Sequence, residues 1–361
     1  MTNKFCEQLS NGYSFSLKNN KELTLAPCCL YQSPITFDEN YLSTRKKTFE
    51  LVNKWTSNCS ACREQEMAGN QSLRNTGKDW LPDSDSSDPY MIDINLDIEC
   101  NAACVTCGQH SSTLWGKEKA KVSGIKYIKS ATSPDQYIDK IVNTLNLTKL
   151  TYVKFFGGEP LFTDTHLKFI KHIPHPENVT LHYTTNGSIY PNNEVLSAWE
   201  KFKVVIFAAS LDGIEEQFDY VRWPLPWSKV SNNLLKLKLQ GPYNLMFRVE
   251  FTANFLNVYY FDRLENWVSE NFSTNRVGDK TEINIHNCWG GNPWNLSSMP
   301  TELRELIYNK YPTNHSIYKI IKTLPPPTSL SNWKKFVNQW DLVRGNSWKT
   351  AFPDLVECID L

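Results

Sequence analysis

The chain has 361 residues, enough for one large or two modest domains with a sizeable core, and its 38 basic and 38 acidic side chains cancel to a net charge of zero. That balance gives no global basic field to draw a long nucleic acid and no acidic excess of the disordered kind. No apolar run approaches the ~20 residues of a membrane span, and the first residues lack the apolar core of a signal peptide. A cytoplasmic location is therefore expected, where ten cysteines read as metal ligands rather than disulfides.

Residues 1–62 form a cysteine unit. Cys6 comes first, then two short strand candidates, Tyr13 to Leu17 and Leu23 to Leu25, around a polar turn. Pro27-Cys28-Cys29 closes that hairpin. The stretch 37–55 carries Leu42, Phe49 and Val52 at helical spacing and predicts a helix, followed at once by Cys59-Ser60-Ala61-Cys62. A hairpin and a C-x2-C that gather four thiolates make either a zinc site or a [4Fe–4S] cluster. The second of the four is Cys28 or Cys29, and the spacing does not choose between them. Residues 63–90 are polar, with Asp83 to Pro89 marking a linker and a domain boundary near residue 88.

From Tyr90 strands and helices alternate. Strands are predicted over 91–98, 151–157, 179–185, 203–210, 245–252 and 281–286, with helices over 134–147, 164–172, 192–201, 228–239 and 260–270. Six strands interleaved with helices mean parallel pairing through right-handed crossovers, as a doubly wound sheet or an incomplete barrel. In either case ligands bind at the C-terminal ends of the strands. The first strand runs directly into Cys100-Asn101-Ala102-Ala103-Cys104-Val105-Thr106-Cys107. Three thiolates on one loop can hold three irons of a cubane and leave the fourth iron open to a small molecule. The next strand ends carry Gly157-Gly158-Glu159-Pro160, Thr185-Asn186-Gly187 and Ser210-Leu211-Asp212-Gly213, with Arg222 close behind. In strand five, Arg248 and Glu250 alternate with Phe247, Val249 and Phe251, which sets the charged pair on one face. His286 and Cys288 follow strand six and read as a structural histidine and an inert thiol, with Trp289 close behind; nothing assigns Cys358. Residues 300–361 read as helical, broken at Pro325 to Pro327, with an amphipathic helix over 331–343 expected to cover the open side of the sheet.

The C-x3-C-x2-C spacing and the strand-end motifs together resemble the radical S-adenosylmethionine (SAM) superfamily, over essentially residues 5–255. The resemblance implies an α/β fold, a partial (β/α)6 barrel over 89–295 with a small N-terminal cysteine-rich lobe and linker over 1–88 and a C-terminal helical extension over 296–361. It implies a [4Fe–4S] cluster on Cys100, Cys104 and Cys107 whose open iron chelates SAM, so that reductive cleavage releases a 5′-deoxyadenosyl radical. It places the SAM methionine amine at Gly157, Gly158 and Glu159, its ribose and methionyl parts at Asn186, Ser210 and Asp212, and its carboxylate at Arg222. The first unit is similar to the SPASM and twitch modules that bind auxiliary [4Fe–4S] clusters, with Cys6, Cys28, Cys59 and Cys62 as ligands. Here that unit precedes the radical domain, where such modules usually follow it, and Thr106 stands where an aromatic residue is common. The partners implied are a small-molecule or peptide side-chain substrate and an electron donor such as flavodoxin or ferredoxin. Two other classes remain for comparison: a non-catalytic zinc- or iron–sulfur-binding assembly protein, and an RNA-modifying radical SAM enzyme.

Overall fold

The computed structural model describes residues 6–18, 21–50, 54–67, 72–77, 88–124, 127, 134–274, 280–288 and 293–359. The tip of the first hairpin, Val52, the polar tract 83–87 and Trp289 lie outside them. The strands are β1 (Gly12–Lys18), β2 (Glu22–Ala26), β3 (Ile35–Thr36), β4 (Met91–Asn95), β5 (Tyr152–Phe155), β6 (Thr180–Thr185), β7 (Val204–Ser210), β8 (Leu245–Ala253) and β9 (Glu282–Asn287), in the order β3-β2-β1-β4-β5-β6-β7-β8-β9. From β4 to β9 the order follows the chain without reversal, and β4–β5, β5–β6 and β8–β9 pair in parallel. A doubly wound sheet needs a point where the order switches. Its absence from this order makes the arrangement the α/β topology of a partial (β/α)6 barrel.

The chain falls into two compact units, one of residues 1–98, 129–184 and 191–206, the other of 99–128, 185–190 and 207–361. In the first, Ile92 and Ile94, Val153 and Phe155, and Leu181 and Tyr183 stand in register on one face. Phe155 stacks on Tyr183 at 5.0 Å and meets Phe169 of the helix Thr165–Ile170 at 6.0 Å, while Tyr183 meets Trp199 of the helix Asn193–Trp199 at 5.1 Å. These rings are the core of that unit. The alternate residues Asp93, Lys154 and His182 share the other face.

The cysteine-bearing hairpin continues this sheet, because β1 pairs in parallel with β4 through Ser14↔Asp93 and Phe15↔Ile94. The helix predicted over 37–55 is shorter, an α-helix Tyr41–Arg45 running into a π-turn Lys46–Glu50. Its geometry follows Arg45, which is fully buried, donates to the Gly12 carbonyl at 3.1 Å and lies 4.3 Å over the Tyr13 ring, while Leu42 faces outward. Part of the expected linker is folded: helices Ser60–Met67 and Leu73–Gly77 are tied by Glu66, which takes bonds from Arg74 Nε (2.9 Å) and Ser72 Oγ (2.5 Å).

In the second unit, Phe247 and Phe251 of β8 pack on Phe272 and Phe261 of the helix Phe261–Phe272. The amphipathic helix expected over 331–343 is present as Ser331–Arg344. Its Trp333 packs on Phe255, just beyond β8, at 5.0 Å, and its Trp340 on Trp115 of the helix Thr113–Ser123 at 4.8 Å. Trp294, Trp333, Trp340 and Trp348 are all buried, so these tryptophans form core rather than pocket.

Two buried groups in the first unit set opposing pH dependences. His166, bonded to Tyr183 Oη at 3.1 Å, has its pKa pulled down by burial to about 4. Its contribution is present above the unfolded value of 6.5 and is lost as pH falls through 4, about 3 kcal/mol in all. Asp93 is pushed by burial up to about 6, so its contribution is present below 3.8 and lost as pH rises through 6. Comparing unfolding free energies at pH 7 and pH 4.5, His166→Gln is expected to lose less stability on acidification than the unaltered protein, and Asp93→Asn more.

Candidate functional site

The loop carrying Cys100, Cys104 and Cys107 leaves the C-terminal end of β4 and is fixed by hydrogen bonds on several sides. Ala103 N donates to Trp223 O at 2.6 Å and Val105 N to Val221 O at 2.9 Å. Ser112, which caps the helix Thr113–Ser123, also donates from Oγ to Ala102 O at 2.5 Å. Cys107 N reaches Cys104 O at 3.0 Å, folding the last two cysteines into one turn. Burial raises the Cys104 thiol pKa and pushes that of Cys107 up to about 11.

Behind Cys104 stands Arg222, whose Nη1 approaches the sulfur at 3.7 Å and whose Nε lies 2.7 Å from Asp212 Oδ2. Asp212 is fully buried, and its Oδ1 accepts from Thr252 N at 2.7 Å. Burial works against the Arg222 charge, but the Asp212 carboxylate and the Cys104 sulfur outweigh it and raise the arginine's pKa. A metal-binding cysteine must be a thiolate. A permanent cation held against this sulfur opposes the effect of burial and favours that state.

Asn186 touches the same loop. Its Nδ2 donates to Asn101 Oδ1 at 2.9 Å, its Oδ1 accepts from Ser188 N at 2.9 Å, and Asn101 Nδ2 donates to Ser188 Oγ at 2.8 Å. The second unit thus brings together Cys100, Cys104, Cys107, Asn186, Asp212 and Arg222, with Ser210 buried at the end of β7.

Gly157, Gly158 and Glu159 belong to the first unit. Gly157 adopts φ +121°, and a Cβ there would stand 2.1 Å from Asn95 Oδ1 and 2.9 Å from Asp97 O. Gly158 N donates to Asp97 O at 2.9 Å, so the glycine pair packs directly on the chain leaving β4. Glu159 is buried and accepts from Leu161 N at 3.1 Å, capping the short 3-10 turn Pro160–Phe162.

The N-terminal thiols also gather. Cys6, Cys28, Cys59 and Cys62 line one cavity, with Tyr31, Trp55 and Arg74 among its other walls. Cys29 is not among them; it stands half-buried beside Asp93 on the polar face of β4, and its thiol pKa is pushed by burial up to about 12. Thr56 Oγ1 lies 3.6 Å from Cys59 Sγ, within reach of a hydrogen bond to sulfur. Among the described residues no three Cys, His, Asp or Glu side chains stand converged as a ready metal site. The donor sets nevertheless suit iron–sulfur clusters: all seven are free thiols, four lining a single cavity and three on one loop with a fixed cation at Cys104.

No protein-family model matches this chain. No curated protein matches it either. Among solved structures it is similar to native anSMEcpe with bound AdoMet, at 15% identity and a TM-score of 0.41, covering 71% of this chain and 67% of that one. It is similar to Streptococcus suis SuiB bound to the precursor peptide SuiA, at 12% identity and a TM-score of 0.41, covering 98% and 75%. SuiB bound to S-adenosylmethionine aligns at 13% identity and a TM-score of 0.40, covering 88% and 71%. At this level of likeness no role passes from those proteins to this chain.

The polar face of β8 and β9 differs from its sequence reading. Arg248 pairs across the strands with Glu282 at 3.3 Å rather than with Glu250. Glu250 instead accepts from Asn284 Nδ2 at 3.0 Å and bonds His286 Nε2. In parallel register Arg248 faces Glu282, Glu250 faces Asn284 and Thr252 faces His286, all on the side away from the helix Phe261–Phe272. Thr252 N bonds Asp212, so this row begins where the Arg222–Cys104 pair ends. His286 is half exposed, whereas Cys288 is buried with its pKa pushed by burial up to about 12, as an inert thiol would be.

Sequence reasoning missed Asn101, Ser188, Glu118 and Arg344. The last two form a buried ion pair at 2.8 Å that meets the cysteine loop. In sequence Arg344-Gly345 reads only as a helix end, a last-turn cation before a C-cap glycine, which at φ +65° is what it also is.

Proposed function

We propose that the chain is a radical SAM enzyme with one SAM-binding and one auxiliary [4Fe–4S] cluster, acting by hydrogen-atom abstraction on an organic substrate. What supports this most is the Asp212–Arg222–Cys104 relay: a buried carboxylate fixes a largely buried guanidinium against the central sulfur of a C-x3-C-x2-C loop at a strand's C-terminal end. When bound, the cluster and SAM supply an electron and a 5′-deoxyadenosyl radical. The residues supply the rest. Cys100, Cys104 and Cys107 would hold three irons. Arg222 remains cationic beside Cys104, where a ligand carboxylate could meet it. Gly157 and Gly158 let backbone approach closely, and buried Asn186 and Asp212 hold the loop and the guanidinium in place. Cys6, Cys28, Cys59 and Cys62 form a closed set of four, which suits electron transfer rather than substrate ligation. The polar row of Glu250, Asn284 and His286 offers hydrogen bonds to a small molecule or a peptide side chain.

The direct test is to incubate reduced, anaerobically reconstituted protein with SAM and measure 5′-deoxyadenosine. The product is expected from the unaltered chain and is expected to vanish in Cys104→Ala, with the iron content falling by about half, one cluster of two. Absence of the product from the fully loaded chain, in the presence of a competent reductant, refutes the reading. Cys28→Ser is expected to lose the other half of the iron, and Cys29→Ser to retain it; equal losses would place Cys29 among the ligands. A zinc-binding assembly protein accounts for the four-thiol cavity but gives no role to a buried cation aimed at Cys104.

A further inference from the structure

We propose that Arg344, in the last turn of the helix Ser331–Arg344, is a positioning residue for the three-cysteine loop, so that a helix beyond β9 completes the cofactor site. This rests on the reading of that loop as the cluster-binding loop. The observation is a closed ring of hydrogen bonds around Ala103, the residue before Cys104. Ala103 N donates to Trp223 O at 2.6 Å, and Trp223 Nε1 donates to Glu118 Oε1 at 2.8 Å. Glu118 Oε2 accepts from Arg344 at 2.8 Å and 3.2 Å, and Arg344 Nη2 donates back to Ala103 O at 2.6 Å. Both backbone polar groups of Ala103 are therefore held from outside the loop, the N–H by the Trp223 carbonyl and the carbonyl by the Arg344 side chain 241 positions away.

The ring is dry. Ala103 is 0% exposed, and the Arg344 and Glu118 side chains are 4% and 8% exposed. Breaking a buried charge pair leaves an uncompensated ion, so the partners hold one geometry rather than exchanging with water. The helix that carries Arg344 is itself anchored to the same region: Asp341 accepts from Tyr220 Oη at 2.8 Å and from Trp348 N at 3.0 Å. The guanidinium also lies 4.9 Å from the Trp340 ring. A lysine keeps the charge but not the fork that reaches Glu118 and the carbonyl together.

The test compares Arg344→Met, Arg344→Lys and Glu118→Gln in the full chain. In metal-free protein, alkylation of Cys104 is followed by site-resolved mass spectrometry, with buried Cys288 of the same unit as the internal control. Arg344→Met is expected to speed Cys104 alkylation about tenfold, the equivalent of ~1.4 kcal/mol, with Cys288 unchanged. Glu118→Gln is expected to act in the same direction by less. In reconstituted protein, the midpoint potential of the SAM-responsive cluster is expected to move negative in Arg344→Met and to return toward its original value in Arg344→Lys, while the other cluster stays unmoved. An unchanged Cys104 rate, a parallel rise at Cys288, or equal shifts in both clusters would overturn the proposal. If the unaltered chain builds no cluster, the radical SAM reading falls, and the alkylation comparison still decides the role of Arg344.

Discussion

Asp212→Ala is expected to destabilise the metal-free protein by about 3–5 kcal/mol, because it strands a buried guanidinium. Asp212 is 0% exposed and is the ion-pair partner of Arg222 at 2.7 Å. Its other oxygen takes the Thr252 amide at 2.7 Å, so the substitution also leaves a strand-end donor unsatisfied. Asp212→Asn keeps the acceptor and the volume and is expected to cost less. The pair Asp212→Ala with Arg222→Met is expected to recover part of the loss, since it removes the orphaned charge along with its partner. Chemical denaturation of the three variants measures this; a double variant no more stable than Asp212→Ala would show that the ion pair is not what Asp212 supports.

The second large effect is expected at Gly157, with Gly157→Ala costing about 3 kcal/mol or more. Two causes act together there. The backbone stands at φ +121°, and the added methyl meets Asn95 Oδ1 at 2.1 Å and the Asp97 carbonyl at 2.9 Å. Backbone cannot move aside cheaply, so the Gly158–Asp97 bond and the turn from β4 must shift. Gly124→Ala is the control. It also sits at positive φ, +69°, but among the described residues nothing lies within 4 Å of the added carbon, and it is expected to cost only about 1 kcal/mol. Thermal unfolding of the two variants separates steric contact from backbone strain; equal shifts would mean that the contact contributes nothing.

What was legible in the sequence was what local pattern determines. β4 to β9 fall where alternation and apolar runs place them, with ends moved by up to a few residues, because one buried ring face repeats every second residue. The helix Ser331–Arg344 was legible from its tryptophan spacing, but not its place, since nothing local says that Trp340 meets Trp115. The parallel pairing of β1 with β4 joins a strand of the cysteine unit to the first strand beyond the linker and was hidden for the same reason. Among site residues, the cysteines announce themselves by spacing. The choice between adjacent Cys28 and Cys29 depends on which way each thiol points, toward the four-thiol cavity or toward Asp93, and sequence carries no such direction. Arg248 and Glu250 were rightly set on one face, yet the partner of each comes from β9. Arg344 has no motif at all; its role exists only because the fold returns it to Ala103.

The account stands on a cluster held by Cys100, Cys104 and Cys107 with one iron left free for SAM. Anaerobic reconstitution followed by iron and acid-labile sulfide analysis, with electron paramagnetic resonance of the reduced protein, tests it most directly. The expected result is about eight irons and as many sulfides per chain, with the signal of one cluster changing on addition of SAM and that cluster missing from Cys104→Ala. Zinc without sulfide, or two clusters that both ignore SAM, would contradict it.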